Sequence, residues 1–120
     1  MRIVNPIALL GEQLAVDYLV DKGYVIIERN YRKKYAETDI IAIYKDTLVF
    51  IEVKTRTSNE FGTPFEAITP WKLKCLIRSA QLYSQYHPKL PEALRIDAVA
   101  VILRGNEDVE SIEHMENISG

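Results

Sequence analysis

Asp39, Glu52 and Lys54 are the residues whose types and spacing point to chemistry. Asp39 lies in an apolar, β-branched run, Glu37–Tyr44, and Glu52 and Lys54 lie in a second, Thr47–Arg56. Lys45-Asp46 between the runs reads as the turn of a β-hairpin. Side chains alternate along a strand, so Glu37, Asp39, Ile41 and Ile43 are expected on one face. Leu48, Phe50, Glu52, Lys54 and Arg56 are expected to share one face of the next strand. A two-residue turn sets Asp39 directly opposite Glu52, and Glu37 opposite Lys54, with Cβ atoms about 4.5–5.5 Å apart. Two carboxylates so placed repel, and a divalent cation between them removes the conflict. Lys54, about 6.6 Å along the strand from Glu52, reaches a phosphate or water held there. This set suits hydrolysis of a phosphodiester. A Mg²⁺ or Mn²⁺ ion polarises the phosphoryl oxygens and acidifies a bound water. Lys54 orients that water or offsets the added negative charge. Glu12 is a third candidate ligand. Its helical neighbours Ala8, Leu9, Ala15 and Val16 are all apolar, a setting unlike that of Gln13 and Asp17. A helix packed across the sheet would carry Glu12 toward Asp39 and Glu52.

The elements that must position these groups are legible in the spacing. Pro6 to Lys22 reads as a first helix stopped by Gly23. Tyr24–Tyr31 is strand-like, and a basic turn, Arg32-Lys33-Lys34, follows. Thr57–Thr69, with Gly62 and Pro64, reads as a loop holding at most one short turn. Thr69 caps and Pro70 opens a second helix reaching about Tyr86, with Leu73, Leu76, Ile77 and Ala80 as its core stripe. Pro88 and Pro91 end it. Leu94–Leu103 reads as a buried strand and Val109–Met115 as an edge strand. The sum is one α/β domain on a central mixed sheet flanked by helices.

Away from the hairpin, structural readings prevail. Glu37 is expected to support Lys54 as an ion-pair partner rather than to ligate. Arg95 and Asp97 alternate onto one strand face and should pair. His87 and His114 have no ligand spacing and read as incidental. Tyr83 and Tyr86 read as core, and Cys75 as a partly buried helical thiol.

The chain has 120 residues, 48% hydrophobic and 27% charged, which fits one folded domain and excludes a disordered chain. A single cysteine excludes an internal disulfide framework and a cysteine zinc cage. No apolar run of 18 residues and no secretory signal are evident, so a cytoplasmic protein without a membrane partner is expected. The net charge of -2 conceals an uneven distribution. Residues 107–120 hold five acids and no Lys or Arg, which leaves 15 basic against 12 acidic residues in the rest. A phosphate-rich partner is therefore permitted. It is expected over Lys54 and Arg56, flanked by Arg32, Lys33 and Lys34 and by Lys72, Lys74 and Arg78 of the second helix.

Gly11-Glu12, Ala36-Glu37-Thr38-Asp39 and Val49-Phe50-Ile51-Glu52-Val53-Lys54 together resemble the PD-(D/E)xK nuclease signature. More closely, the chain is similar to the YraN-like family of predicted endonucleases, related to archaeal Holliday junction resolvases within the restriction-endonuclease-like fold. The resemblance runs from about Ile7 to Leu103 and includes Gly62, Ala67, Lys72 and Arg95-Ile96-Asp97. It implies metal ligation by Asp39 and Glu52 with participation of Glu12, a catalytic Lys54, and lesser roles for Glu37 and Lys72. It implies a DNA substrate, branched in the resolvase reading. A two-fold symmetric junction would then call for a homodimer. Two positions depart from the family pattern: Ala36 replaces a usual Gly, and Thr38 replaces an aliphatic residue. A nucleic-acid-binding module without catalysis, and an assembly subunit with a vestigial site, remain as alternatives.

Overall fold

The computed structural model describes residues 5–34, 36–57, 64–105 and 108–120. Helix α1 (Pro6–Asp21) leads into strands β1 (Val25–Lys33), β2 (Ala36–Tyr44) and β3 (Thr47–Thr57). A short 3-10 turn (Pro64–Ala67) and helix α2 (Pro70–Tyr86) precede β4 (Ala93–Arg104) and β5 (Asp108–Met115). Gly62 and Glu107 lie outside the described residues.

Local chemistry accounts for the helix ends. Asn5 caps α1 by accepting the Ile7 N–H at 2.9 Å, and Thr69 caps α2 by accepting the Lys72 N–H at 3.1 Å. Pro stands in the first turn of both helices, where its missing N–H costs nothing. Gly23, at φ 100°, then turns the chain out of α1.

The five strands form one sheet in the order β1-β2-β3-β4-β5. β3 and β4 run parallel with α2 in the connection between them, and the other neighbours are antiparallel. The sheet is therefore mixed, and the fold is α/β, consistent with a restriction-endonuclease-like architecture. Helix α1 buries Ala15, Val16 and Leu19 against Ile40, Ala42, Val49, Ile51, Val99, Val101 and Leu103. Helix α2 buries Leu76, Ala80 and Tyr83 against Ile41, Leu48, Phe50 and Ile96 on the opposite face. Alternate residues of the central strands thus feed two cores, which is why these strands read as continuous apolar runs. Among the described residues no helix is long and apolar enough to cross a membrane.

Several expectations need correction. Arg32 and Lys33 are not in a turn, because β1 continues through Lys33 and pairs Arg32 with Glu37 and Lys33 with Ala36. Tyr86 is not core: it is 75% exposed near the end of α2, whereas Tyr83, one turn earlier, is buried. His114 is not incidental. Its Nε2 lies 2.8 Å from the fully buried Asp97. Asp97 also takes two hydrogen bonds from Arg95, at 2.9 and 3.0 Å, and the Asn117 N–H at 3.0 Å. Burial alone would raise the Asp97 pKa, but hydrogen bonds from His114, Arg95 and the Asn117 N–H hold it below the ordinary value. The expected Arg95–Asp97 pair is the centre of a network that fastens β5 and the following turn to β4.

Candidate active site

Helix α1 crosses the sheet so closely at Gly11 that an added Cβ would collide with the Thr55 side chain of β3. Only glycine permits that approach, and it sets the next residue, Glu12, in the lining of a cleft of about 610 Å³. Asp39, Glu52, Lys54, Glu37, Arg32, Arg56 and Lys72 line the same cleft. Most of the residues singled out in the sequence therefore converge, from five different elements. Lys33 and Lys34 are exposed and do not line it. Lys74 and Arg78 are also exposed. They stand roughly 200° and 240° around α2 from Lys72 at 100° per residue, so only Lys72 of the three faces the cleft.

The hairpin register is as expected from Tyr44↔Thr47 to Ile40↔Ile51, where the paired ladder stops. Asp39 and Glu52 are the first residues beyond it. They do not form a regular opposed pair, because the Asp39 side chain takes the bond a backbone partner would have made. Its Oδ2 accepts the Val53 N–H at 2.9 Å. The expected alternation also fails here. Thr38 is on the α2 side, where its hydroxyl donates to Ser79 Oγ at 3.4 Å, whereas Ile40 packs under α1. Two residues apart in one strand, they occupy opposite faces, so the chain twists at Asp39. The Ser79 partner also shows how Thr38 is accommodated where an aliphatic residue was expected.

The two carboxyls nevertheless meet. Burial, the Glu52 charge and a hydrogen bond between the carboxyls push Asp39 up to about 7, against the pull of the Val53 N–H. The Glu12 charge adds to the rise. Glu52 is only 4% exposed and is bracketed by Lys54 Nζ and Lys72 Nζ, each 3.5 Å from its Oε2. Lys72 was expected in a lesser role, and no periodicity in the sequence marks it, because its reach to β3 depends on how α2 docks. Lys72 also lies 3.7 Å from Glu37, and Arg32 pairs with Glu37 at 2.8 Å. The expected Glu37–Lys54 pair is thus replaced by Glu37 with Arg32 and Lys72. The twist at Asp39 turns Glu37 away from its nominal partner.

Among the described residues, no three His, Cys, Asp or Glu side chains converge closely enough to hold an ion together. Asp39 and Glu52 meet, and Glu12 stands off them in the same cleft. The donor chemistry still suits a hard cation. All three are carboxylates, two of them crowd one another, and Glu12 Oε1 is buried without a hydrogen-bond partner.

Residues 11–101 match the model of a family described as "Uncharacterised protein family UPF0102". A UPF0102 protein of Chlorobium phaeobacteroides is 44% identical over 111 residues, covering 89% of this chain and 88% of its own. One from Alkaliphilus oremlandii is 48% identical over 113 residues, covering 92% and 95%. Another, from Caldanaerobacter subterraneus, is 39% identical over 126 residues, covering 98% of both. None of these names states an activity.

Proposed function

The chain belongs to the UPF0102 family, and from that premise and the cleft geometry we propose that it is a metal-dependent endonuclease hydrolysing phosphodiester bonds of DNA. The observation that carries the proposal is the meeting of Asp39 and Glu52 in a cleft that also presents Lys54 and Lys72. A structural ion pair needs one carboxylate for its lysine. Two side by side, with burial and the Glu52 charge raising the Asp39 pKa, favour a cation between them.

Asp39, Glu52 and Glu12 would hold a Mg²⁺ or Mn²⁺ ion. That ion would supply Lewis acidity and lower the pKa of a bound water. The chain's own contribution is positional. The Val53 N–H fixes the Asp39 carboxylate. Lys54 and Lys72 hold Glu52 between them, and either ammonium can transfer its hydrogen bonds to a phosphate oxygen as the phosphodiester becomes more negative. Arg32 and Arg56, at the cleft wall, suit the flanking phosphates.

A branched substrate follows from the resolvase resemblance. A four-way junction requires two cuts, which implies a homodimer. A cytoplasmic enzyme acting on intracellular DNA is part of the same proposal. A second reading, a nucleic-acid-binding module without turnover, draws on Glu52 being already neutralised by two lysines.

The test is cleavage of labelled four-way junctions and linear duplexes with Mg²⁺, Mn²⁺ or EDTA. Cleavage of the junction with metal is expected, absent in EDTA and lost in Glu52→Gln. Lys54→Met should lower turnover by about 10²–10³-fold while leaving junction binding in place. Binding of both DNAs without cleavage under any metal would establish the second reading instead.

A further inference from the structure

Asn30 lines the cleft but is not among the motif residues. Its side-chain Oδ1 is buried and has no hydrogen-bond partner. Among the described residues the other such atom is Glu12 Oε1, and both residues line the cleft that holds Asp39 and Glu52. Buried acceptors without donors are unfavourable and are retained where something outside the protein satisfies them. No cation of the cleft donates to either oxygen, and Lys54 and Lys72 are drawn to Glu52, and Arg32 to Glu37.

The backbone supplies an independent observation. Asn30 has φ 51°, a left-handed conformation inside a β-strand. The twist reverses the alternation of β1. Arg29 reaches Gln13 of α1, whereas Tyr31, two residues on, packs against Tyr83 of α2. Asparagine is among the residues that tolerate this conformation, which tends to persist at functional sites.

The sheet register places the kink. β1 pairs Arg29 with Ile40 and Tyr31 with Thr38, so Asn30 falls level with Asp39. β3 pairs Ile51 with Ile40, so Glu52 falls level with Asp39 on its other side. Asn30, Asp39 and Glu52 thus form one row across three strands, each at a point where ladder or alternation is interrupted.

We propose that Asn30 is a cation ligand of this cleft, its carboxamide oxygen joining Asp39 and Glu52 in an all-oxygen set for a hard divalent ion. The inference rests on the metal-dependent reading above and adds a donor to it. Oxygen donors of this kind are what Mg²⁺ and Mn²⁺ take. A neutral carboxamide adds a ligand without adding charge where three carboxylates already repel.

Two substitutions separate the oxygen from the backbone. Asn30→Gly keeps the positive φ at no steric cost and removes the donor. Asn30→Asp keeps an oxygen and tolerates the same conformation. Mn²⁺ affinity is measured by calorimetric titration, and melting temperature in EDTA and in Mn²⁺, with Glu52→Gln in parallel. Asn30→Gly should bind Mn²⁺ about 10-fold more weakly, a loss typical of removing one partner from a metal site. Its melting temperature in EDTA should not fall. Asn30→Asp should bind at least as well as wild type. If Asn30→Gly binds Mn²⁺ like wild type while Glu52→Gln does not, Asn30 is no ligand and the metal site stands without it. A lower melting temperature of Asn30→Gly in EDTA with an unchanged Mn²⁺ shift would make Asn30 a hydrogen-bonding residue of the fold. Wild type failing to bind Mn²⁺ would overturn both this inference and the metal-dependent reading.

Discussion

Asp39 carries an electrostatic cost in the cleft, imposed by burial and by the Glu52 and Glu12 carboxylates. Two lysines flank Glu52, whereas Asp39 faces Glu52 and Glu12 with one backbone N–H in compensation. Its pKa is pushed from 3.8 to about 7. A carboxyl raised in the folded state binds a proton there that the unfolded chain has already released. Stability therefore falls as pH rises through the window from about 4 to about 7, and the penalty is complete above it. Asp39→Asn removes the charge and keeps an oxygen for the Val53 N–H. In EDTA at pH 8 the variant should be more stable than wild type, on the order of 1–2 kcal/mol, and the gap should close toward pH 4. Chemical unfolding of both proteins at the two pH values measures this, and an equal gap at both would refute it. The convergence of Asp39, Glu52 and Lys54 was legible in the sequence because a hairpin with a two-residue turn has one register. The roles of Lys72, Asn30 and His114 were not. Lys72 depends on helix docking, Asn30 on a backbone kink, and His114 on β5 folding back beside Asp97.

The elements do more than carry these residues, as the crossing of α1 over β3 shows. Helix and strand propensity outlined both elements, and caps and prolines gave their ends to within a residue or two. The closeness of their crossing was invisible, because it depends on Gly11 meeting Thr55, 44 positions further along. A Cβ at Gly11 would lie 2.8 Å from Thr55 Cγ2 and 2.9 Å from Thr55 Cβ, and closer still to Oγ1. The β-branched side chain sits on a strand with few alternative rotamers. Alanine ordinarily favours a helix by about 1 kcal/mol over glycine, but overpacking costs about 1–3 kcal/mol and here involves three atoms. Gly11→Ala should therefore destabilise the protein by about 1–2 kcal/mol net. It should also weaken Mn²⁺ binding, since α1 must move away and Glu12 with it. Thr55→Gly beside it should restore the Mn²⁺ affinity. Thermal unfolding and Mn²⁺ titration of the single and double variants provide the measurement. A stabilising Gly11→Ala would show that the crossing is slack and that Glu12 is not held by it.

Across the whole molecule, the strand order divides the charge. The basic residues Arg29, Arg32 and Lys33 lie on β1, at one edge of the sheet, and Asp108, Glu110 and Glu113 lie on β5, at the other. The acidic C-terminal segment is no loose tail. β5 pairs along β4, and the Ile118 N–H donates to Ile96 O at 2.7 Å. Four inter-strand steps of about 4.8 Å put the two edges about 19 Å apart, beyond the Debye length of about 10 Å at 0.1 M salt. A phosphate chain lying in the cleft, which is lined by β1, β2 and β3, meets Arg32 of the basic edge directly and stays at least two strand steps, about 10 Å, from the acidic edge, so it should feel the basic edge more strongly at physiological salt. Trp71, the single tryptophan, is 74% exposed and directly precedes Lys72, so its fluorescence should report occupancy of the cleft. Titration with duplex or branched DNA should give an affinity that falls steeply with salt, because each phosphate neutralised releases counterions. Arg32→Gln should weaken binding and reduce the slope of log K against log salt by about one, because Arg32 lines the cleft. Glu113→Gln should leave the slope unchanged and strengthen binding only well below 0.1 M. Equal and opposite effects of the two substitutions at physiological salt would mean that net charge, not the basic edge, governs association. Binding independent of salt would remove the phosphate backbone as the ligand altogether.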